Sequence, residues 1–238
     1  YLSQMSSYLF NRWTLVSVGI VVGIAYYYNN SNKGITSPIR KHLLFGDMRR
    51  SAVVIGATGA TGSTLVEQLL RSKEWGRVTI IHRRPLDTSN MDLSTDQLSK
   101  LKQHTVNMEQ LLNDDNIKLF KDHDVTFCTL GTTRSIAGTA DNWRKVDIGM
   151  VRDSAIASKK ADIPQFNLLT SRGANANLWA NDWKISHPLL YSKSKGVIEN
   201  EVMSMDFKRT SIFRPGLLIR GDRGRWEEKL FANIFLGT

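Results

Sequence analysis

One short stretch near residue 55 constrains the fold of this chain more than any other. An apolar, β-branched segment, Val53–Ile55, leads into three glycines spaced three residues apart, Gly56, Gly59 and Gly62. The next residues, Thr61–Ser72, carry leucine and valine at helical spacing. A strand, a glycine turn and a helix in this order are typical of the first βαβ unit of a dinucleotide-binding domain.

Each glycine has an expected task in that unit. Gly56 permits a tight turn out of the strand, and Gly62 allows the helix to pack close to the sheet. Gly59 has no side chain, so the backbone can approach a pyrophosphate there. The helix N-terminus also offers unpaired N–H groups and a partial positive charge to phosphates. The pattern predicts a bound nucleotide, and the alternative is a plain tight turn in a flavodoxin-like sheet.

After this unit the chain continues to alternate strands with helices. Further strands are predicted at residues 77–81, 103–108, 124–130, 165–169 and 210–213. Further helices are predicted at residues 95–102, 109–120, 141–161 and 191–205. This alternation predicts an α/β domain with a doubly wound parallel sheet, the Rossmann-like fold.

The distribution of charge argues against a nucleic-acid-binding face spread over this domain. The net charge is +10, and half of it lies in residues 1–50, before the domain begins. The single cysteine, Cys128, excludes a disulfide framework and fits a reducing compartment such as the matrix or cytosol. The five histidines are scattered along the chain, so no metal site is predicted.

The N-terminal region contains a candidate membrane anchor. Residues 13–28 carry no charge and would span about 24 Å as a helix, somewhat less than a typical membrane-spanning segment. Trp13 at one end and Tyr26–Tyr28 at the other resemble interfacial aromatic residues. We therefore predict one short transmembrane helix that contacts membrane lipid. The alternatives are the core of a signal peptide and a buried helix.

The charges beside this anchor predict its orientation. Residues 29–50 form a polar, basic linker, which places the following domain on the cytoplasmic or matrix side of the membrane. The expected organisation is an anchor at residues 1–28, a linker at residues 29–50 and an NAD(P)-binding domain at residues 51–238.

The residues after the second predicted strand bear on which dinucleotide binds. Arg83 and Arg84 follow that strand, where an acidic residue would bond the ribose 2′-hydroxyl of NAD. Arginine instead pairs with phosphate, so NADP is preferred over NAD. The alternative is that both arginines are simply solvated. The fourth strand ends at Leu130 and leads into Gly131–Thr133, which should lie beside the glycine turn where the cofactor runs toward its nicotinamide.

A second motif predicts acid–base chemistry. Tyr191 and Lys195 lie four residues apart, so both should face the same side of a helix. A free phenol has a pKa near ~10, and a neighbouring ammonium lowers it, which makes tyrosine a usable general acid–base. Lys195 could also hold the nicotinamide ribose, and Ser171 could orient a substrate carbonyl. A tyrosine and lysine at this spacing can also be purely structural.

Together the glycine turn, Ser171, Tyr191 and Lys195 resemble the short-chain dehydrogenase/reductase superfamily, in particular its extended and atypical branches. Four further stretches are similar to the Tat-interacting-protein type of atypical oxidoreductase: Val78–Arg84, Phe127–Arg134, Phe166–Ala174 and Phe213–Gly216.

The resemblance implies an NADPH-binding Rossmann domain with Ser171, Tyr191 and Lys195 as catalytic residues. Asn107 stands where many relatives carry an aspartate that contacts adenine, and its amide can still form a hydrogen bond. The resulting candidate cofactor-binding residues are Gly56, Thr58, Gly59, Ala60, Thr61, Gly62, Arg83, Arg84, Asn107, Leu130, Gly131, Thr132, Tyr191, Lys195 and Pro215.

These observations support more than one function. The first is a membrane-anchored, NADPH-dependent oxidoreductase of the short-chain dehydrogenase type, acting on a carbonyl or alcohol substrate. The second is an NADPH-binding accessory subunit of a multi-subunit respiratory complex, without turnover. A third is a cytosolic regulatory binding module. The expected location is the mitochondrial inner membrane with the domain facing the matrix, and the alternative is a membrane facing the cytosol.

Overall fold

A computed structural model of the chain describes residues 49–180 and 187–216. Within these ranges six parallel strands form one sheet in the order β3-β2-β1-β4-β5-β6. The strands are β1 Arg50–Ile55, β2 Trp75–His82, β3 Leu101–Thr105, β4 Val125–Cys128, β5 Gln165–Leu169 and β6 Arg209–Phe213. The strand order reverses between β1 and β4, as in dinucleotide-binding sheets. The prediction of a Rossmann-like parallel sheet is confirmed.

The helices connect consecutive strands. Because the strand order runs outward in both directions from β1 and β4, right-handed crossovers place helices on both faces of the sheet. The helices are α1 Ala60–Arg71, α2 Thr95–Ser99, α3 Asp114–Lys118, α4 Arg134–Ala137, α5 Ala140–Arg144, α6 Val151–Lys160 and α7 His187–Ser204. A 3-10 turn spans Met108–Gln110, and a π-helical segment, Lys145–Met150, joins α5 to α6.

The hydrophobic core explains why β1 is apolar along almost its whole length. Residues Ala52–Ile55 are fully buried, because a central parallel strand is covered on both faces. Ile55, Cys128 and Phe166 share one buried cluster that joins β1, β4 and β5. The only cysteine is therefore a buried free thiol.

Two predicted boundaries near residue 105 are wrong. The predicted third strand at residues 103–108 instead spans Leu101–Thr105. The chain turns after β3 because Asn107 Oδ1 accepts the Glu109 N–H at 3.0 Å and begins the 3-10 turn. The predicted helix at residues 95–102 correspondingly ends at Ser99, since the residues after it belong to β3.

Other corrections concern three predicted helices. The expected helix at residues 109–120 is broken into the 3-10 turn and α3, and Asn116 Nδ2 donates to the Gln110 carbonyl at 2.7 Å between them. The helix at 141–161 contains the π-helical segment. The last helix begins at His187, before the predicted Tyr191, since Pro188 is compatible with a first helical turn.

The predicted anchor at residues 13–28 and most of the predicted linker lie outside the described residues. Among the residues that the structure describes, no helix is both long and apolar enough to cross a bilayer. The six strands lie in one compact unit, Asp47–Arg214, and Pro215 and Gly216 lie beyond it.

Candidate functional site

The glycine turn between β1 and α1 has a backbone that other residues would not adopt. Gly56 has a φ of +85°, which L side chains rarely adopt. A Cβ atom at this position would lie 2.8 Å from the Leu130 amide nitrogen and 2.8 Å from the Thr129 carbonyl carbon. The turn and the end of β4 are therefore in direct contact, as the sequence predicted.

Gly62 is required for packing, because a Cβ atom there would overlap the Gly56 carbonyl and lie 2.7 Å from Thr129 Oγ1. Gly59 differs: its φ is −76°, and its Cβ would meet only the Gly56 oxygen, at 3.3 Å. A side chain at position 59 would therefore be in tight contact with this one backbone oxygen, far less severely than at position 62. The missing side chain leaves space beside the first turn of α1, which begins with Ala60 and Thr61, and Thr58 is exposed in the same turn.

The two arginines lie at the carboxyl end of β2. Arg83 and Arg84 are exposed, and neither side chain forms a hydrogen bond or ion pair with residues 49–180 or 187–216. The ends of β2 and β3 are adjacent, with the Val106 N–H donating to the His82 carbonyl at 2.9 Å. Asn107 therefore lies near the arginines at the same edge of the sheet.

The loop after β4 joins the glycine turn to helix α7. The Thr132 N–H donates to Asp147 Oδ2 at 2.9 Å. A Cβ atom on Gly131 would lie 3.7 Å from both Asp147 Oδ1 and Lys195 Nζ. Leu130 contacts Gly56 on the other side of the loop, so this loop touches both candidate regions.

A buried ion pair, which the sequence interpretation missed, lies beneath this loop. Lys195 Nζ is 2.8 Å from Asp147 Oδ1, and the two side chains are 6% and 0% exposed. Oδ1 accepts no hydrogen bond within the described residues, so the contact is an attraction between charges rather than a well-aligned hydrogen bond. Asp147 belongs to the π-helical segment, a type of helix distortion that is frequent at functional sites.

Tyr191 and Lys195 occupy one face of α7. Lys195 Nζ lies 5.9 Å from the centroid of the Tyr191 ring. The Trp143 ring packs edge-on against Tyr191, with centroids 5.7 Å apart. Trp143 thus contacts Tyr191, and Asp147 contacts Lys195. Within each helical stretch the two residues are four positions apart.

Ser171 lies two residues after β5, and its loop rests on α7. The Asn175 N–H donates to the Ser192 carbonyl at 3.0 Å. A Cβ atom on Gly196 would lie 2.6 Å from the Asn175 nitrogen, so only glycine permits this approach. Ser171 Oγ is buried and has no hydrogen-bond partner among the described residues. Its hydrogen-bonding capacity is therefore not used by the described residues.

Two further groups near the strand ends are poor candidates for chemistry. Burial raises the pKa of the Cys128 thiol to about 11, so this cysteine is not a nucleophile at neutral pH. Burial lowers the pKa of His82, which precedes the arginines. Residues 49–180 and 187–216 contain no group of three or more side chains suited to a metal ion.

The structure thus brings the glycine turn, Leu130–Thr132, Lys195 and Tyr191 into one continuous region, with the Ser171 loop packed on α7.

Pro215, another predicted cofactor-binding residue, follows β6 in the chain and is not part of the compact unit Asp47–Arg214. The sequence interpretation missed Gly196 and Asp147. Gly196 could have been recognised from the sequence, since a glycine inside a helix often marks close packing. Asp147 could not, because a single acidic residue in a helix is ordinary.

Comparison with known proteins identifies relatives across most of the chain. A family described as NAD(P)H-binding matches residues 56–230. Protein HTATIP2 from Rattus norvegicus is 37% identical over 194 residues, which are 82% of this chain and 73% of that protein. Protein FMP52, mitochondrial, from Debaryomyces hansenii is 34% identical over 169 residues, 71% of this chain and 67% of that protein. These matches confirm the resemblance drawn from the motifs.

Solved structures show the same fold at low sequence identity. A UDP-N-acetylglucosamine 4-epimerase from Methanobrevibacter ruminantium, in complex with UDP-N-acetylmuramic acid, gives a TM-score of 0.55 at 19% identity over 80% of this chain. MoeE5 in complex with UDP-glucose and NAD gives 0.52 at 17% identity over 69%. The matches cover 64% and 53% of those two proteins. Such similarity establishes the fold alone.

Proposed function

Because this chain belongs to the NAD(P)H-binding family, with protein HTATIP2 among its relatives, we propose that it is an NADPH-dependent oxidoreductase of the short-chain dehydrogenase type. Its substrate would be a carbonyl compound or the corresponding alcohol. One observation carries this proposal: the loop Leu130–Thr132 contacts the glycine turn at Gly56 and also lies against Lys195. A cofactor lying along this loop would reach from the phosphate-binding turn to the acid–base residues.

The residues present fit a dinucleotide with a 2′-phosphate. The absent side chain of Gly59 leaves room for a pyrophosphate at the N-terminus of α1, where the helix dipole favours negative charge. Arg83 and Arg84 are exposed at the end of β2 and are not committed to other described residues, so both can pair with phosphate. In the proposed complex Asn107 would contact the adenine from the same edge.

The acid–base residues have separate roles in the proposed reduction. When bound, the reduced nicotinamide would supply a hydride to the carbonyl carbon. Tyr191 gives its hydroxyl proton to the carbonyl oxygen, which completes the alcohol. Lys195 stabilises the phenolate left on Tyr191 and holds the nicotinamide ribose hydroxyls. Ser171 donates a hydrogen bond to the substrate oxygen, for which its buried, unpartnered Oγ is suited.

The proposed location is the mitochondrial inner membrane. The relatives from Debaryomyces hansenii and Scheffersomyces stipitis are named as mitochondrial proteins. We place the domain on the matrix side, held by the predicted anchor at residues 13–28 and the basic linker that follows it.

A second candidate is an NADPH-binding accessory subunit of an inner-membrane complex. The observation that favours it is the buried ion pair with Asp147, which already gives the Lys195 ammonium a partner within the protein. The two candidates differ in turnover and not in cofactor binding.

A binding experiment tests the choice of cofactor. We expect full-length protein in mild detergent to bind NADPH at least ~10-fold more tightly than NADH in a fluorescence titration. Replacing Arg83 and Arg84 with alanine should remove this preference. The control is Arg71→Ala, at the opposite end of α1. Equal affinity of the wild type for both cofactors would refute the NADPH assignment.

A turnover experiment tests the reaction. With a panel of aldehydes and ketones, the wild type should oxidise NADPH, and Tyr191→Phe should abolish turnover while NADPH still binds. Binding without turnover across the panel would contradict the oxidoreductase proposal. Migration of the protein in a large assembly on native gels of solubilised membranes would then support the accessory subunit.

A further inference from the structure

Two exposed apolar side chains adjoin the same small hydrophobic cluster. Within the described residues, three large apolar side chains are strongly exposed: Ile136, Trp179 and Met203, at 75%, 70% and 60%. Single exposed apolar residues are ordinary on a protein surface. Ile136 directly precedes Ala137, however, and Trp179 directly precedes Ala180. Both alanines are buried in one small apolar cluster, which is separate from the main core.

This cluster includes the ring of the proposed proton donor. Its buried members are Ala137, Trp143, Ala180 and Leu190, and the partly buried Ala140, Leu189 and Tyr191 pack against them. The Trp143 ring lies edge-on to the Tyr191 ring, with centroids 5.7 Å apart. One side of Tyr191 is therefore an apolar wall, and Ile136 and Trp179 are exposed neighbours of that wall.

Backbone hydrogen bonds fix α4, which carries Ile136, to the loop that follows β4. The N–H groups of Ile136 and Ala137 both donate to the Thr133 carbonyl, at 3.1 and 2.9 Å. Asn142 Nδ2 of α5 donates to the Ala137 carbonyl at 3.0 Å and closes the other end of α4. Ile136 is thus held directly after the loop Leu130–Thr132, along which the cofactor is proposed to lie.

Trp179 belongs to the loop that begins with Ser171. This loop is held on α7, where the Asn175 N–H donates to the Ser192 carbonyl at 3.0 Å. Its far end is held by Ala180, which is fully buried in the cluster. The two exposed side chains therefore lie on the two segments that carry the proposed cofactor loop and the proposed substrate-orienting serine.

We propose that the substrate is an apolar carbonyl compound, such as a medium-chain ketone, whose hydrocarbon part lies against Ile136 and Trp179. The inference rests on the proposed function, in which Ser171 and Tyr191 contact the carbonyl oxygen. Sites for small molecules combine apolar walls with a few polar groups that fix orientation. Covering these side chains removes apolar surface from water, which should strengthen binding by about 3-fold for each methylene that is buried.

A charged side chain beside Ser171 favours a different class of substrate. Arg172 is exposed directly after Ser171, and a guanidinium there would favour an acidic group on the substrate. Arg214, at the end of β6, is instead paired with the buried carboxylate of Glu199, with Nε 3.0 Å from Oε1. A solvated cation gains little from an exposed ion pair, so we expect the apolar contacts to dominate.

The test is a calorimetric titration of ketones into full-length protein in mild detergent with NADP⁺ present, since the oxidised cofactor cannot donate a hydride. We expect 2-octanone to bind at least ~30-fold more tightly than 2-butanone, because it carries four more methylenes. Ile136→Ser and Trp179→Ser should each reduce this ratio by at least ~3-fold. The same detergent concentration for every protein cancels partitioning of the ketone into micelles from the comparison.

Met203→Ser is the matched control. Met203 is also an exposed apolar residue, but it lies about 18 Å from Tyr191 along α7. This variant should keep the wild-type ratio. Equal binding of the two ketones by the wild type would overturn the proposal, and so would an equal loss in all three serine variants.

A third ligand separates the two classes of substrate. 7-Oxooctanoate has the chain of 2-octanone with a carboxylate in place of the terminal methyl group. We expect it to bind at least ~10-fold more weakly than 2-octanone, because a charge is costly to place against apolar side chains. Tighter binding of 7-oxooctanoate would overturn the proposal and indicate an acidic substrate.

These titrations are independent of turnover. Chain-length-dependent binding without reduction of any ketone by NADPH would refute the proposed reaction and leave the apolar site standing. Turnover with equal kcat/KM for 2-butanone and 2-octanone would support the proposed reaction and overturn the assignment of an apolar substrate.

Discussion

The buried side chain of His123 leads us to expect that acid destabilises this fold. His123 Nε2 lies 2.8 Å from Thr79 Oγ1 on β2, and Nδ1 lies 2.9 Å from the Lys121 carbonyl. The neutral imidazole satisfies both contacts if Nδ1 donates and Nε2 accepts the threonine hydroxyl. Burial, and then the nearby Arg77 guanidinium, lowers the pKa of His123 from 6.5 to about 4.

The sign and size of the effect follow from this shift. Between about pH 6.5 and pH 4 the unfolded chain binds a proton at His123 and the folded chain does not. The free energy of unfolding should therefore decrease as the pH falls through this window, by about 3 kcal/mol in total. Above pH 6.5 this contribution is fully present. Burial lowers the pKa of His82 as well, which adds to the loss in the same direction.

The assay is urea unfolding of the full-length protein at pH 7.5 and pH 4.5, followed by tryptophan fluorescence. His123→Gln keeps a neutral donor and acceptor, so its loss of stability between these two pH values should be smaller than that of the wild type by about 2–3 kcal/mol. His104→Gln, on β3 and less buried, is the matched control and should behave as the wild type does. An identical pH dependence in the wild type and His123→Gln would refute the reasoning.

Four further predictions follow from the glycines and the cysteine. Gly62→Ala should lower the free energy of unfolding by about 3 kcal/mol in urea because its Cβ would overlap the Gly56 carbonyl. Gly59→Ala, whose Cβ would lie 3.3 Å from the Gly56 oxygen, should lower it much less but should bind NADPH at least ~10-fold more weakly in a fluorescence titration. Gly196→Ala should displace the Ser171 loop and lower stability by about 1–3 kcal/mol, and proteolysis within residues 172–177 should become faster than in the wild type. Cys128 should resist iodoacetamide at pH 8 in the folded protein and react once unfolded, as measured by mass spectrometry.

The parts of the fold that were predictable from sequence are those specified by neighbouring residues. The apolar β1 strand, the glycine spacing and the period of α1 are local patterns, and they predicted a nucleotide-binding βαβ unit that the structure contains. The boundary of β3 was wrong because the side chain of Asn107 turns the backbone, a local hydrogen bond that competes with strand continuation. Tyr191 and Lys195 were recognisable because their spacing alone places them on one helix face.

The partner of Lys195 could not be read in the same way, because it depends on how two helical stretches meet. Trp143 and Asp147 have the same four-residue spacing as Tyr191 and Lys195, so each can contact its counterpart only if the two helical faces are in register. Asp147 itself lies in the π-helical segment Lys145–Met150, whose wider turn rotates side chains relative to their positions in an ordinary α-helix. Nothing in the sequence of those six residues predicts the wider turn. The ion pair at Lys195 is therefore a property of tertiary packing, which no local pattern in the sequence specifies.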